Sequence, residues 1–342
     1  MKILIIRRDN IGDLICTTPL FEAIRQRYPN AYIAALVNSY NAPAIQGNPH
    51  LDAIFAYTKG KHADGEPVWR AYLRRVALLW KLRRMGFDYV LLATSGFAAR
   101  SLKLARLLAP QHIVGFVTEK SGSPKIDLAI PHGNGARLHE TEDMYRLLAP
   151  LGIEGPIPPL TVVPGSTLAG NLRASLPVTV AEGKGPLIAL HISARKEKQR
   201  WPVERFSELA HRLHATYGAR LLVFWSPGDE NNPFHPGDDG KAAKLLSLLS
   251  DLPAAPLHTG HLSELMAGLS LCDAAVLSDG GAMHVAAGLG KPLVCFFGNS
   301  SAERWHPWGI PYALLQKPSQ DVSDISVDEA AEAFGRLQIP SA

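Results

Sequence analysis

Short apolar runs that recur between amphipathic stretches constrain this chain more than any other feature. The N-terminal half carries KILIIR (2–7), YIAALV (32–37), AIFAY (53–57), DYVLLA (88–93) and HIVGF (112–116). The C-terminal half carries PLIALHI (186–192), ARLLVFW (219–225), DAAVLS (273–278) and PLVCFF (292–297). Runs this uniformly apolar belong to strands covered on both faces. Helix-like stretches near 13–27, 67–85 and 99–108, then near 202–217, 240–250, 262–271 and 282–289, supply the cover. The expected class is α/β, with doubly wound parallel sheets.

A chain of 342 residues exceeds what one hydrophobic core supports. The alternation breaks at residues 151–170, where Pro156, Pro158, Pro159 and Pro164 mark a linker. Two domains are therefore expected, 1–160 and 161–325. The last segment, 326–342, reads as a helix that can join either, with packing back on the N-terminal domain one expectation. A hydrophobic fraction of 46% with 19% charged residues fits a folded chain rather than a disordered one. No apolar run reaches the length of a transmembrane helix, and the first residues enter a strand with no leader-like pattern, so a cytoplasmic protein is expected. Cys16, Cys272 and Cys295 are far apart in apolar runs and read as reduced core residues. Residues 1–150 hold 20 Lys and Arg against 12 Asp and Glu, and the remainder 15 against 19. The basic half suggests an anionic partner. Nucleic acid is not that partner on this sequence, because the charge is modest and no nucleic-acid-binding motif is present.

Neither half opens with G-x-G-x-x-G after its first strand, which argues against hydride-transfer chemistry. Three strand–helix junctions carry candidate chemistry instead. In RRDNIGDLICTTP (7–19), Asp13 can cap a helix or accept a proton from a substrate hydroxyl, and Gly12 permits close approach to the backbone. In HISARKEKQRWP (191–202), Ser193, Arg195 and Lys198 are spaced to meet an anion. In SDGGAMHVAAGLGKP (278–292), Asp279 ends a strand, Gly280 and Gly281 offer backbone amides, and His284 lies in the next helical turn.

These junctions, with HETEDMYRLLAPLGI (139–153), ARKEKQRWPVERFSELA (194–210) and the FFG and W-x-P-x-G segments after residue 295, resemble glycosyltransferase family 9, the lipopolysaccharide heptosyltransferases. The resemblance spans nearly the whole chain. It implies a GT-B fold: two Rossmann-like domains facing across a cleft, with acceptor on the first and nucleotide sugar on the second. It implies inverting transfer of a heptose from ADP-heptose to the lipopolysaccharide inner core, with no metal or other cofactor. On that basis Asp13 matches the general base. Ser193, Arg195 and Lys198 match the segment approaching diphosphate and sugar, Asp279 the holder of sugar hydroxyls, and Gly280, Gly281 and His284 the diphosphate-binding turn. Two departures stand out. Gly280 replaces a hydroxyl residue, and one extra residue before Trp201 leaves Lys198, Gln199 and Arg200 all candidates to reach the donor.

The basic half gains a rationale from an acidic acceptor at an anionic membrane surface. Lys59, Lys61 and Arg100 are candidate acceptor contacts among a set that includes Arg70, Arg74, Arg75, Lys81, Arg83 and Arg84, with peripheral contact at the inner membrane expected. Glu230, after the strand 219–225, is a candidate for the ribose hydroxyls. A transferase or epimerase using another nucleotide sugar, and a silent nucleotide-sugar-binding protein, remain alternatives.

Overall fold

The computed structural model of the protein describes residues 1–57, 68–118, 125–132, 138–231, 237–337 and 339. Contacts divide the chain into two compact units, Met1–Thr161 and Val162–Ala342.

The first unit holds six parallel strands: β1 (Lys2–Ile6), β2 (Tyr32–Asn38), β3 (Ala53–Tyr57), β4 (Tyr89–Leu92), β5 (His112–Val117) and β6 (Leu128–Pro131). Their order is β3-β2-β1-β4-β5-β6. β1 is central because it is apolar on both faces, and Ile3 to Ile6 are fully buried. Helices α1 (Ile11–Ile15), α2 (Thr18–Arg27), α3 (Val68–Met85), α4 (Ala99–Leu108) and α5 (Glu140–Tyr145) follow the strands. The single helix expected over 13–27 is two. Pro19, in the first turn of α2, has no N–H to return to residue 15, so the helix restarts rather than continues. The Thr17 hydroxyl closes α1 by donating to Asp13 O.

The second unit repeats the plan with β7 (Leu187–His191), β8 (Arg220–Trp225), β9 (Ala254–His258), β10 (Ala274–Ser278), β11 (Leu293–Phe297) and β12 (Tyr312–Gln316), in the order β12-β11-β10-β7-β8-β9. Its helices are α6 (Ser166–Ser175), α7 (Val178–Ala181), α8 (Val203–Tyr217), α9 (Asp239–Leu248), α10 (Leu262–Leu271), α11 (Gly281–Gly288), α12 (Ala302–Trp305) and α13 (Val327–Gly335). α13 packs within this second unit. Val327, Ala330, Ala333 and Phe334 recur at helical spacing and join one core cluster with Phe206, Leu209 and Leu213 of α8.

Counted from each unit's first strand, both sheets run 3-2-1-4-5-6. In such sheets ligands collect beyond the carboxyl ends of the strands where the order reverses. That point lies between β1 and β4 in the first unit and between β7 and β10 in the second. Cys16, Cys272 and Cys295 are free and buried, and burial pushes each thiol up.

Candidate functional site

At the first reversal point, the turn from β1 to α1 delivers Asp13. Its Oδ2 accepts from the Asn10 backbone N–H at 3.1 Å and from Asn10 Nδ2 at 3.0 Å, so the carboxylate does cap its own helix. Its other oxygen accepts from Arg7 Nη2 at 2.7 Å. The same nitrogen donates to Glu140 Oε1 at 2.7 Å, and Arg7 Nε lies 3.3 Å from Asp9. Arg7 and Glu140 are completely buried, whereas the Asp13 side chain keeps 15% of its surface open. Ser95, in the turn after β4, donates its hydroxyl to both Glu140 oxygens at 3.0 Å. Arg7 stays charged in this setting. Burial pulls its pKa down, but Glu140, then Asp13 and Asp9, raise it by more. Gly12 is buried within α1. Tyr40 also faces this group, and burial, Asp13 and Asp9 push its phenol up to about 12.

Arg7 and Glu140 are the members of this candidate site that sequence reasoning missed. The available signal was the charge of two segments, RRDNIGD directly after the apolar KILII and HETEDM ahead of the apolar LLAPLGI. Charges at such positions are buried only when partnered.

At the second reversal point, Asp279 follows β10 and its Oδ2 accepts from Gln199 Nε2 at 2.8 Å. The same amide donates to Ser300 Oγ at 2.8 Å. Of the three candidates left by the extra residue, Gln199 is the buried one. Lys198 is exposed, and Arg200 Nε donates to Ala194 O at 2.9 Å. This loop lies close against the end of β11, and Gly298 permits it. A Cβ there would sit 2.4 Å from Lys198 O. Arg195 is exposed, and Ser193 Oγ accepts from Ser226 N at 2.8 Å. Gly280 has a positive φ (φ 156°, ψ −172°), which side-chain-bearing residues rarely adopt, and leads into α11 at Gly281. The first bonds to Gly280 O come from Met283 at 3.1 Å and His284 at 3.4 Å, so the amides of Gly281 and Ala282 precede the helical ladder. The His284 ring is buried and meets the edge of Trp305 at 6.0 Å. His191, at the end of β7, is pulled down to about 4 by burial, with Asp238 opposing. Glu230 stands on the loop after β8, 3.5 Å from Lys241 Nζ.

The first unit also holds a cavity of about 380 Å³ lined by Arg8, Arg75, Arg100, Lys103, Leu104 and Leu107. Arg8 donates to Tyr57 Oη, and the guanidiniums of Arg8 and Arg75 lie 5.4 and 5.3 Å from the Tyr57 ring centre. Four cations, with no carboxylate among the described lining residues, suit an anionic ligand. Lys59 and Lys61 lie outside the described residues. Among the described residues, no cluster of three His, Cys, Asp or Glu is placed to hold a metal ion, and no helix is long and apolar enough to cross a membrane.

Two successive parallel sheets of this order are the two Rossmann-like halves of a GT-B fold. Similarity to known proteins narrows its kind. Residues 75–326 match the family model of glycosyltransferase family 9 (heptosyltransferase), and the chain belongs to that family. Lipopolysaccharide heptosyltransferase 2 of Salmonella typhimurium is 26% identical over 332 residues, covering 89% of this chain and 84% of the relative. Lipopolysaccharide heptosyltransferase 3 of Escherichia coli is 22% identical, covering 87% and 83%. Among solved structures, a glycosyltransferase family 9 protein of Veillonella parvula superposes with a TM-score of 0.77 at 18% identity, covering 98% of this chain and 96% of that one. The E. coli ADP-heptose lps heptosyltransferase II does so with 0.75 at 20%, covering 98% of each.

Proposed function

We propose that this glycosyltransferase moves a heptose from ADP-heptose to an acidic inner-core acceptor of lipopolysaccharide, with inversion and without a metal. The observation that carries the reading is the β10–α11 junction, where Asp279 is held by Gln199 next to the opening amides of α11. A carboxylate there accepts bonds from sugar hydroxyls, and the amides receive a diphosphate. Arg195 and Lys198, exposed on the neighbouring loop, add positive charge.

In this reading the acceptor hydroxyl attacks the anomeric carbon as the bond to the diphosphate oxygen breaks. The hydroxyl proton passes to Asp13, and the electron pair of the broken bond leaves with ADP. Negative charge growing on the leaving phosphate is met by the α11 amides with Arg195 and Lys198. Losing one such donor costs about 3 kcal/mol, or ~100-fold in rate. Asp13 suits the proton-accepting role because it is partly open while Arg7 fixes its orientation. The acceptor's carboxylates and phosphates fit the cavity of Arg8, Arg75, Arg100 and Lys103. Gly12, Lys59 and Lys61 remain acceptor-side proposals, and Ser193, Gly280, Gly281, His284 and Glu230 donor-side ones.

The test is a thermal-shift panel of ADP-, UDP- and GDP-sugars, followed by turnover of the best binder with a truncated core acceptor and anomer analysis of the product. ADP-heptose should stabilise most and transfer with inverted configuration in the presence of a chelator. Preferential stabilisation by a UDP-sugar, or retention of configuration, would overturn the assignment.

A further inference from the structure

α3 is amphipathic in an unusual sense, because it presents apolar residues on two opposite faces. Leu78, Leu82 and Met85 turn inward onto the core of the first unit. Trp69, Tyr72, Leu73, Val76 and Trp80 are 45–66% exposed. At ~100° per residue these five fall within an arc of about 100°, centred opposite the inward face. They are five of the twelve large apolar side chains exposed among the described residues, so they form a patch rather than a scatter. The helix also carries six cations and no carboxylate. Arg70, Arg74 and Lys81 flank the stripe on one side, and Arg83 and Arg84 close its C-terminal end. The Arg70 and Arg84 guanidiniums lie 5.3 and 4.3 Å from the ring centres of Trp69 and Trp80. Each end of the stripe is thus an indole with a cation over it. The preceding segment, TKGKHADGEP (58–67), has no large apolar side chain to cover the stripe.

We propose that this face of α3 lies in the interfacial plane of a bilayer bearing anionic lipids. A helix that sinks an aromatic and aliphatic face to acyl depth while cations ring it at headgroup level meets both demands of such a surface. A protein partner would have to place carboxylates in one register against the cations beside the stripe, whereas an anionic bilayer supplies phosphates in any register. Arg75 of the same helix lines the cationic cavity assigned above to the acceptor. A lipid-borne acceptor would therefore be met at the surface that holds the enzyme. To that extent the inference deepens the proposed function, but vesicles free of acceptor test it separately.

The full chain is floated with phosphatidylcholine vesicles, with and without about 30 mol % phosphatidylglycerol, and its tryptophan quenching by brominated lipid is recorded. The expected result is binding to anionic vesicles at least ~10-fold above neutral ones, with quenching. The triple variant Trp69→Ser/Tyr72→Ser/Trp80→Ser, which keeps every cation, should lose at least ~10-fold of that binding. Its melting temperature and its transfer to a water-soluble acceptor fragment should be unchanged. No binding by the wild type, equal binding by the triple variant, or a wild-type dimer that the triple variant converts to monomer would each overturn the proposal. Loss of soluble-acceptor transfer in the wild type would instead count against the proposed function.

Discussion

The buried Arg7–Glu140 pair offers a quantitative test of how Asp13 is held. In Arg7→Met, Glu140 keeps the Ser95 hydroxyl and loses its cation while remaining completely buried. Breaking a buried pair from one side costs about 4 kcal/mol. Glu140→Gln leaves Arg7 with Asp13 and Asp9 and still offers an amide oxygen, so a loss of about 2 kcal/mol is expected. The double variant removes the unpaired charge along with its partner. It should cost about 3 kcal/mol rather than the ~6 of the sum, a coupling of about 3 kcal/mol. At ~2–4 °C per kcal/mol for a domain of this size, Arg7→Met should lower the first unit's melting temperature by about 8–16 °C. Urea unfolding followed by circular dichroism reads all three variants against the wild type. Additivity within ~0.5 kcal/mol would show that the two side chains do not sense one another, and the account of Asp13's anchor would fail.

Three further outcomes follow from other parts of the molecule. Gly298→Ala forces the loop of Lys198 away from β11, so donor affinity, read by calorimetric titration, should fall by at least ~10-fold with little change in the far-ultraviolet spectrum. His191 is held near 4 in the fold against an ordinary 6.5, so the unfolded chain takes up a proton first as pH falls. Its contribution is complete above about pH 6.5 and is lost by about pH 4, roughly 3 kcal/mol in all, and His191→Leu should flatten the stability profile by that amount in a urea series. Ser326 Oγ accepts from Glu329 N at 3.2 Å and Glu329 Oε2 accepts from Ser326 N at 2.9 Å, so Ser326→Ala should cost about 1 kcal/mol in the second unit's unfolding.

Most of the architecture is legible in the chain because central strands of parallel sheets are apolar on both faces. KILII and LVCFF announce themselves without any periodicity. Three strands escape that reading, and all three are edges: β6, β9 and β12. Edge strands are half exposed and tolerate proline, as Pro131 in β6 and Pro256 in β9 show, so LAIP and AAPLH resemble loops. The family resemblance reached Asp13 and Asp279 through local motifs. It did not reach the Arg7–Glu140 pair, whose partners are 133 residues apart, or the bridge from Gln199 across to Asp279 and Ser300. Such bonds depend on which turns the sheet order brings side by side. The apolar outer face of α3 was hidden for a simpler reason. Apolar residues are interspersed with cations around the whole of this helix, and only the fold shows that Leu78, Leu82 and Met85 face the core while Trp69, Tyr72 and Trp80 do not.

The central claim is that Asp13 takes the acceptor's proton, and single-turnover transfer by Asp13→Asn measures it most directly. Asparagine keeps the size of the side chain and an oxygen toward Arg7, but it cannot accept the proton. The predicted result is a transfer rate reduced by ~10²–10⁴-fold, with the donor dissociation constant unchanged. A variant that transfers heptose at the wild-type rate would contradict it.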